Sequence, residues 1–460
     1  MSATDSDDAD TRPQTPPGPQ DPRRAGQTLE MLLGRAPMSA AQRRAIAVLI
    51  GLNALDGFDV LAISFASPGI ADEWDIDKAR LGVVLSMELV GMALGSMTLG
   101  SVADAVGRRR TMLSCLVLMS IGMVMVIGVE TIAMLSCWRI LTGIGIGGML
   151  ACSTAAASEC ANDRHRHLCV SWVAIGYPFG AVVGGSVAAF LLRHFDWRSV
   201  FVAGATLTLA SIPLVLALVP ESVIWLARKR PPGALARINA TLARMGHAGL
   251  LVLPPRADAD AGGSPADIFR GGQALTTVLV TLAYFAHITS FYFLVKWIPK
   301  IVVDLGYSPS TGAGVLVLTS LGGTAGGIAF GIATQRLPLK PLILAAMGLS
   351  VIFVAAFGVS GDDLGLLKLV CALAGFFTNA GVVGMYATFA HTFPTHCRAF
   401  GTGVGIGVGR GGAIVAPIIA GILLEADVPV ALVAALMASG SMIAAAALAP
   451  VRYRRAPAAD

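Results

Sequence analysis

Two carboxylates lie within an apolar segment long enough to cross a bilayer, in the stretch Gly51-Leu-Asn-Ala-Leu-Asp56-Gly-Phe-Asp59. A charge at that depth is costly unless it is paired, protonated or facing water, so an intramembrane acid indicates function by default. Asp56 and Asp59 stand three residues apart and therefore share one face of a helix. Such a face can take up and release protons, which is typical of a proton-coupled membrane transporter.

The composition excludes an ordinary soluble protein. Of the 460 residues, 55% are apolar and only 13% are charged, and the mean hydropathy is +0.73. Twelve apolar runs have the length of about 20 residues that spans the hydrocarbon core of a membrane. They are centred near residues 57, 92, 120, 146, 180, 208, 288, 321, 348, 377, 411 and 438. We therefore predict an all-α membrane protein with twelve transmembrane helices.

Positively charged residues predict the orientation. If both termini are cytoplasmic, the tails and loops on that side carry 24 Lys and Arg residues and the loops on the other side carry 6. This bias follows the positive-inside rule. We expect a multi-pass protein of the cell (inner) membrane with both termini cytoplasmic. Its net charge of +5 reflects this topology, so nucleic acid is not an expected partner.

One long polar interval, residues 221–272, separates six spans from six others. Within it, residues 235–245 have the pattern of a short amphipathic helix. Residues 100–110, after the second span, have a degraded counterpart at 331–340, after the eighth. This internal repeat indicates two pseudo-repeat bundles with the substrate site between them, near the midplane of the membrane. The predicted parts of the monomer are a mostly disordered cytoplasmic tail (1–42), an N-terminal six-helix bundle (43–220), a cytoplasmic loop (221–272), a C-terminal six-helix bundle (273–450) and a cytoplasmic tail (451–460).

Two motifs resemble those of the major facilitator superfamily. The loop after the second span reads Gly100-Ser-Val-Ala-Asp104-Ala-Val-Gly107-Arg-Arg-Arg110, although Ala105 stands where that family usually has Arg. The fourth span contains Arg139-Ile-Leu-Thr-Gly143-Ile-Gly145-Ile-Gly147-Gly148, which is similar to the arginine motif of the superfamily.

Within the superfamily, residues 28–450 resemble the aromatic acid:proton symporter family. The resemblance rests on Asp56-Gly-Phe-Asp59, Glu159, Asn379-Ala-Gly, Pro394-Thr-His-Cys-Arg398-Ala-Phe-Gly401-Thr-Gly403 and Gly407-Val-Gly-Arg410-Gly-Gly-Ala-Ile-Val-Ala-Pro417. It implies a secondary active transporter, not an enzyme, that imports a benzoate-, 4-hydroxybenzoate- or protocatechuate-like carboxylate with a proton by alternating access. Four positions depart from the family pattern and leave the exact substrate open: Glu88, Lys296, Val382 and Val404.

Asp56 and Arg410 lie at similar depths, about 17 Å into their spans at 1.5 Å per residue. We therefore expect an acid of one half and a base of the other to meet in one central cavity. Arg410 would grip a substrate carboxylate through two parallel hydrogen bonds, or else form a structural ion pair between helices. Asp56 and Asp59 would carry the proton, because burial and a neighbouring acid disfavour the charged form. Their alternative role is a fixed partnership with an arginine.

Glu88 and Arg139 lie at equal depths in the second and fourth spans, which predicts a buried ion pair. The resemblance instead implies that Arg139 acts on the acids of the first span, so both residues are candidates for proton coupling. Glu159 ends the fourth span near Arg164 and Arg166, where a gate salt bridge is favoured over a proton site. The resemblance marks Glu159 as needed for transport.

The loop after the second span supplies the other gating candidates, Asp104, Gly107, Arg108 and Arg109. Asp104 can face the N-terminus of the eleventh span, where backbone N–H groups favour negative charge. Breaking and remaking that contact would bias the inward-closed against the inward-open state. The alternative is a basic loop that only fixes topology.

Aromatic and polar side chains of the seventh and tenth spans are candidates for contact with an aromatic substrate. Ordinary helix packing is the alternative for each. Asn379 is singled out because a buried amide needs partners, and Lys296 is expected to snorkel toward the membrane surface. The candidates are Tyr284, His287, Phe291, Tyr292, Phe376, Phe377, Asn379 and Tyr386.

No phosphate-binding Gly-Lys-Thr loop and no His/Cys ligand spacing occurs in the sequence, so neither a cofactor nor a metal is expected. Three alternatives to aromatic acid import stay open. They are a proton symporter of another small organic acid such as a dicarboxylate or muconate, a proton-driven efflux pump, and a membrane sensor that does not transport. The expected partners are a small aromatic acid, protons and the lipid bilayer.

Overall fold

A computed structural model of the protein describes residues 34, 36–247, 249–253, 268–270, 272–361, 363–393 and 397–451. Within this part of the chain, all regular structure is helical. Most of the predicted tails, 1–42 and 451–460, lies outside the described residues.

Fourteen helices form in the described part of the chain. The first six are α1 (Ala40–Trp74), α2 (Lys78–Val106), α3 (Arg108–Ile127), α4 (Ile132–Cys160), α5 (Arg166–His194) and α6 (Arg198–Leu218). Two short helices follow, α7 (Val223–Lys229) and α8 (Ala234–Arg244). The last six are α9 (Gly272–Asp304), α10 (Pro309–Ala333), α11 (Leu339–Phe357), α12 (Leu364–Thr392), α13 (Arg398–Glu425) and α14 (Val430–Leu448).

Twelve of these helices, α1–α6 and α9–α14, are long and apolar enough to cross a membrane. Their centres fall within three residues of the predicted positions, which confirms the fold class. The predicted amphipathic helix is also confirmed, since α8 covers Ala234–Arg244.

Side-chain caps fix where the first two helices begin. The Ser39 hydroxyl accepts from the Gln42 backbone N–H (3.3 Å), and the Gln42 side chain accepts from the Ser39 N–H (2.8 Å), which is a capping box. The Asp77 carboxylate accepts from the Arg80 N–H (2.6 Å) at the start of α2. Between them, Asp75 ends α1 in the left-handed conformation (φ 48°), so a three-residue turn joins the two spans.

Glycines let α2 and α4 pack backbone to backbone. Gly91 and Gly95 on α2 face α4, while Gly143 and Gly147 on α4 face α2, in the spacing that lets membrane helices approach closely. A Cβ atom added to Gly91 would lie only 3.0 Å from the Gly143 Cα. A larger residue at any of these four positions would therefore push the helices apart.

In the described part of the chain, the contacts between the two bundles lie toward one side of the molecule. We call the side that carries residues 107–110 and α7 the basic face, and the other side the opposite face. Toward the opposite face α2 packs against α13, and the Ser86 hydroxyl donates to the Ile414 carbonyl (2.7 Å). Toward the basic face these helices diverge, since Met97 is 68% exposed and a Cβ at Gly407 would meet no atom within 4 Å. The opposite face is therefore closed by the contact between bundles.

The helices α7 and α8 pack on the basic face of the N-terminal bundle. The Trp225 indole N–H donates to the Asp104 carbonyl (3.0 Å). The Glu221 carboxylate accepts from the Arg109 backbone N–H (3.1 Å) and lies beside Gly107, whose φ of 117° favours glycine. The apolar cluster that joins the two helices consists of Val223, Trp225, Leu226, Ile238, Leu242, Met245 and Leu250.

Candidate functional site

A cavity of about 100 Å³ lies between the two bundles, near the middle of the spans. Helices α1 and α5 of the N-terminal bundle and α9, α10 and α12 of the C-terminal bundle form its wall. Apolar, aromatic, hydroxyl and amide groups line it, and the described wall contains no charged side chain. The lining residues that bear on recognition are Val60, Tyr177, Phe291, Tyr292, Thr319, Ser320, Thr324, Thr378 and Asn379.

Three of the predicted substrate residues, Phe291, Tyr292 and Asn379, are part of this wall. The Asn379 amide donates to the Gly323 carbonyl (2.6 Å), which holds the side chain against α10. Tyr284 and Tyr386 lie nearer the basic face, where their hydroxyl oxygens are 3.3 Å apart and Tyr386 is 47% exposed.

His287 does not reach the cavity wall. Its Nε2 is 2.8 Å from the Thr378 carbonyl, so this nitrogen must donate, and its Nδ1 therefore accepts from the Ser441 hydroxyl (3.0 Å). Both ring nitrogens are thus occupied within the C-terminal bundle. The structure places His287 in packing and not among the groups available to a substrate.

A network of three buried charges lies beside the cavity. The Arg139 guanidinium is 2.5 Å from Glu88 Oε1, and the Lys296 ammonium is 3.5 Å from Glu88 Oε2. All three side chains are fully buried. The Glu88–Arg139 pair is present as the matched depths indicated.

The interpretation of Lys296 as a snorkelling lysine is wrong. Its side chain turns inward and donates to the Val60 carbonyl (2.6 Å) as well as approaching Glu88. The physical reason is that Glu88 offers an anion at the depth of Lys296, so inward burial replaces the solvation that snorkelling would provide. Lys296 lies eight residues inside the end of α9, a depth similar to those of Glu88 and Arg139, but depth alone does not show which bundle its side chain faces.

Arg139 also connects this network to the acids of α1. Its Nη2 donates to the Asp59 backbone carbonyl (3.0 Å), and its guanidinium lies over the Phe201 ring at 5.5 Å. The four carboxylate oxygens of Asp56 and Asp59 are buried without a hydrogen-bond partner among the described residues. An ionised carboxylate in that setting is strongly unfavourable. These acids are therefore suited to holding a proton in this conformation.

The expected meeting of Asp56 and Arg410 in one chamber does not occur in this conformation. Asp56 is enclosed in the N-terminal bundle, whereas Arg410 lies at the interface and donates to the Met92 carbonyl (3.1 Å). Helix geometry explains the position of the acids, since Asp59 points about 160° away from Leu61, which faces the cavity. Arg410 stays close enough to Tyr292 of the wall to interact with it electrostatically.

The gating candidates come together on the basic face. Arg108 binds Asp104 (2.6 Å) and Glu159 (3.2 Å). The predicted salt bridge of Glu159 therefore forms with Arg108 and not with Arg164 or Arg166. The second arginine of the loop, Arg109, donates to the Leu216 carbonyl. In the described residues the Asp104 carboxylate binds Arg108, and its expected contact with the start of α13 is not present.

Comparison with known proteins agrees with this architecture. The family model described as Major Facilitator Superfamily matches residues 49–363 and, in an overlapping match, 280–460. The xylose transporter XylE from E. coli, solved in a partially occluded inward open conformation, shares the fold with a TM-score of 0.66 and 16% identity over 89% of this chain and 99% of that chain. Twelve spans in two bundles around a central cavity are the architecture of a transporter, not of an enzyme.

Two sequence relatives are transporters of aromatic acids. The gallate transporter of Pseudomonas putida is 29% identical over 90% of this chain and 92% of its own length. The 4-hydroxybenzoate transporter PcaK of Pseudomonas aeruginosa is 30% identical over 86% of this chain and 89% of its own length. The chain belongs to the major facilitator superfamily, within its family of aromatic acid transporters.

Proposed function

We propose that this protein imports a benzoate- or hydroxybenzoate-like carboxylate together with a proton, by alternating access across the inner membrane. The observation that carries the proposal is the burial of Asp56 and Asp59 beside Arg139, where their carboxylate oxygens have no hydrogen-bond partner in the described part of the chain. Through Glu88 and Lys296, the same arginine is connected to the C-terminal bundle. A proton on these acids is therefore poised to affect the contact between the bundles.

The cavity supports an aromatic substrate. Phe291 and the rings of Tyr177 and Tyr292 provide apolar surfaces, and Asn379 with the neighbouring hydroxyl groups provides partners for ring substituents. A dicarboxylate is less suited to this wall, because it has no ring to stack on the aromatic side chains. Arg410, next to Tyr292, is a candidate for the substrate carboxylate once the bundles move.

The closed opposite face and the diverging basic face support alternating access. The excess of positive residues on the basic face supports a cytoplasmic location for that face and for both termini. Importing an anion against a negative-inside potential costs about 2.3 kcal/mol per charge per 100 mV, and one proton carried with it cancels this term. The Asp104–Arg108–Glu159 contacts lie within the N-terminal bundle, where they would position the loop after α2 for gating on the cytoplasmic side.

The test is uptake into vesicles that contain the purified protein. Labelled 4-hydroxybenzoate, benzoate and adipate are supplied with and without an imposed pH gradient, acid outside. We expect accumulation of the aromatic acids above equilibrium only with the gradient, and little uptake of adipate. Uptake that is insensitive to the pH gradient would overturn proton symport. A preference for adipate would overturn the aromatic substrate, and gradient-driven expulsion would favour an efflux pump.

A further inference from the structure

Lys296 is tied to the other bundle. Lys296 belongs to α9 of the C-terminal bundle. In the described part of the chain its ammonium group contacts Glu88 on α2 and the Val60 carbonyl on α1, which both belong to the N-terminal bundle. Within the described residues the Glu88–Lys296 contact is a fully buried ion pair across the bundle interface. It lies in the part of the molecule where α2 and α13 hold the opposite face closed.

This ion pair lies directly behind the cavity wall. Val60, whose carbonyl accepts from Lys296, lines the cavity, as do Leu294 and Val295, which precede Lys296 on α9. Tyr292, another wall residue, is close enough to Glu88 to interact with it electrostatically. The Lys296 ammonium is therefore separated from the cavity by the Val60 backbone, and a movement of α9 away from α1 and α2 would expose it.

Opening the opposite face affects Glu88 and Lys296 unequally. Glu88 keeps Arg139, because α2 and α4 belong to one bundle and pack closely through their glycines. Lys296 loses both of its partners, since they move away with the N-terminal bundle. A buried ammonium without an anion is costly, so Lys296 needs a new counter-ion in the open state.

Building on the proposed function, we infer that Lys296 binds the substrate carboxylate when the opposite face is open, and that Glu88 takes Lys296 back when this face closes. Substrate carboxylate and Glu88 thus compete for one ammonium group. Closure releases the carboxylate from its strongest partner and leaves the aromatic ring in the wall formed by Phe291 and Asn379. No covalent bond changes, and the proton on Lys296 stays in place.

The inference predicts that substitutions of Lys296 and Glu88 have opposite effects on substrate binding. Lys296→Met removes the cation that would bind the substrate carboxylate and leaves Glu88 paired with Arg139. Binding of 4-hydroxybenzoate should therefore weaken about 10- to 100-fold. Glu88→Gln removes the competitor, so binding should tighten about fivefold or more while release and turnover slow. Lys300→Met, one turn along α9, removes a lysine that pairs with Asp304 and should leave binding unchanged.

The experiment measures the equilibrium binding of labelled 4-hydroxybenzoate to the purified full-length variants, beside that of uncharged 4-hydroxybenzamide. Lys296→Met should lose affinity for the acid but not for the amide, which distinguishes loss of the charge from misfolding. Equal affinity of wild type and Lys296→Met for the acid, or weaker binding by Glu88→Gln, would overturn the inference. If wild type transports the acid with protons in that case, the proposed function stands alone. If wild type neither binds nor transports aromatic acids, both fail.

Discussion

Replacing Gly143 with Ala would test whether the crossing of α2 and α4 holds the buried charges in place. A Cβ at position 143 would overlap the Glu88 carbonyl oxygen and lie 3.0 Å from the Gly91 Cα, whereas carbon atoms pack best at about 3.5–4.0 Å. The helices must then separate by about 1 Å or more, and overpacking of this kind costs about 1–3 kcal/mol. The same shift would stretch the 2.5 Å contact between Arg139 and Glu88 beyond the usual length of a charge-assisted hydrogen bond, about 2.7–2.9 Å.

The assay has two parts, thermal unfolding of the purified protein followed by tryptophan fluorescence, and uptake of labelled 4-hydroxybenzoate into vesicles. Gly143→Ala should unfold at a lower temperature and transport more slowly, and Gly143→Val should do both more strongly. The matched control is Gly348→Ala on α11, where an added Cβ meets no atom within 4 Å and alanine favours the helix by about 0.5–1 kcal/mol. If Gly143→Ala matched this control in both measurements, the reasoning from close packing would be refuted.

Three further predictions concern the proton, the cavity and the gate. Asp59→Asn should abolish accumulation driven by a pH gradient but keep exchange of labelled for unlabelled substrate, because an amide side chain does not take up and release a proton. Accumulation at the wild-type level would show that Asp59 does not carry the proton. Asn379→Ala should raise the KM of uptake for hydroxylated benzoates about fivefold, which corresponds to roughly 1 kcal/mol for one hydrogen bond. The KM for benzoate should rise less. Equal increases for benzoate and the hydroxylated benzoates would argue against a contact of Asn379 with the ring hydroxyl. Asp104→Asn should lower the free energy of unfolding by less than about 1 kcal/mol, since the Asp104 side chain is 68% exposed. The same variant should slow uptake strongly, and unchanged uptake would count against a role of Asp104 in gating.

The fold could be predicted from the sequence because the bilayer imposes one length on every span. Apolar runs of about 20 residues have few alternative interpretations, and the observed centres lie within three residues of the expected ones. The Glu88–Arg139 pair was predictable for a similar reason, since depth along a span follows directly from residue number. Both predictions use only the position of a residue along its own helix.

The parts that failed depend on how helices rotate and which bundle they meet. Lys296 was expected to reach the membrane surface, because nothing in α9 alone reveals that Glu88 of the other bundle lies opposite. Asp56 and Arg410 were expected to share a chamber on the basis of depth, which says nothing about the direction in which either side chain points. The Arg108–Glu159 contact was likewise missed in favour of arginines nearer in sequence, because proximity along the chain is a poor guide at a helix end.

The attachment of α7 and α8 to the N-terminal bundle has a practical consequence. Trp225 donates a hydrogen bond to the backbone at Asp104, and Glu221 accepts one from the backbone at Arg109, so we expect these helices to move with that bundle. A fluorophore on the exposed side of α8, paired with one on the C-terminal bundle, would report the rocking angle of the membrane core from the aqueous phase. A binding protein that clamps α8 against the C-terminal bundle would in turn stall the cycle without touching the substrate path.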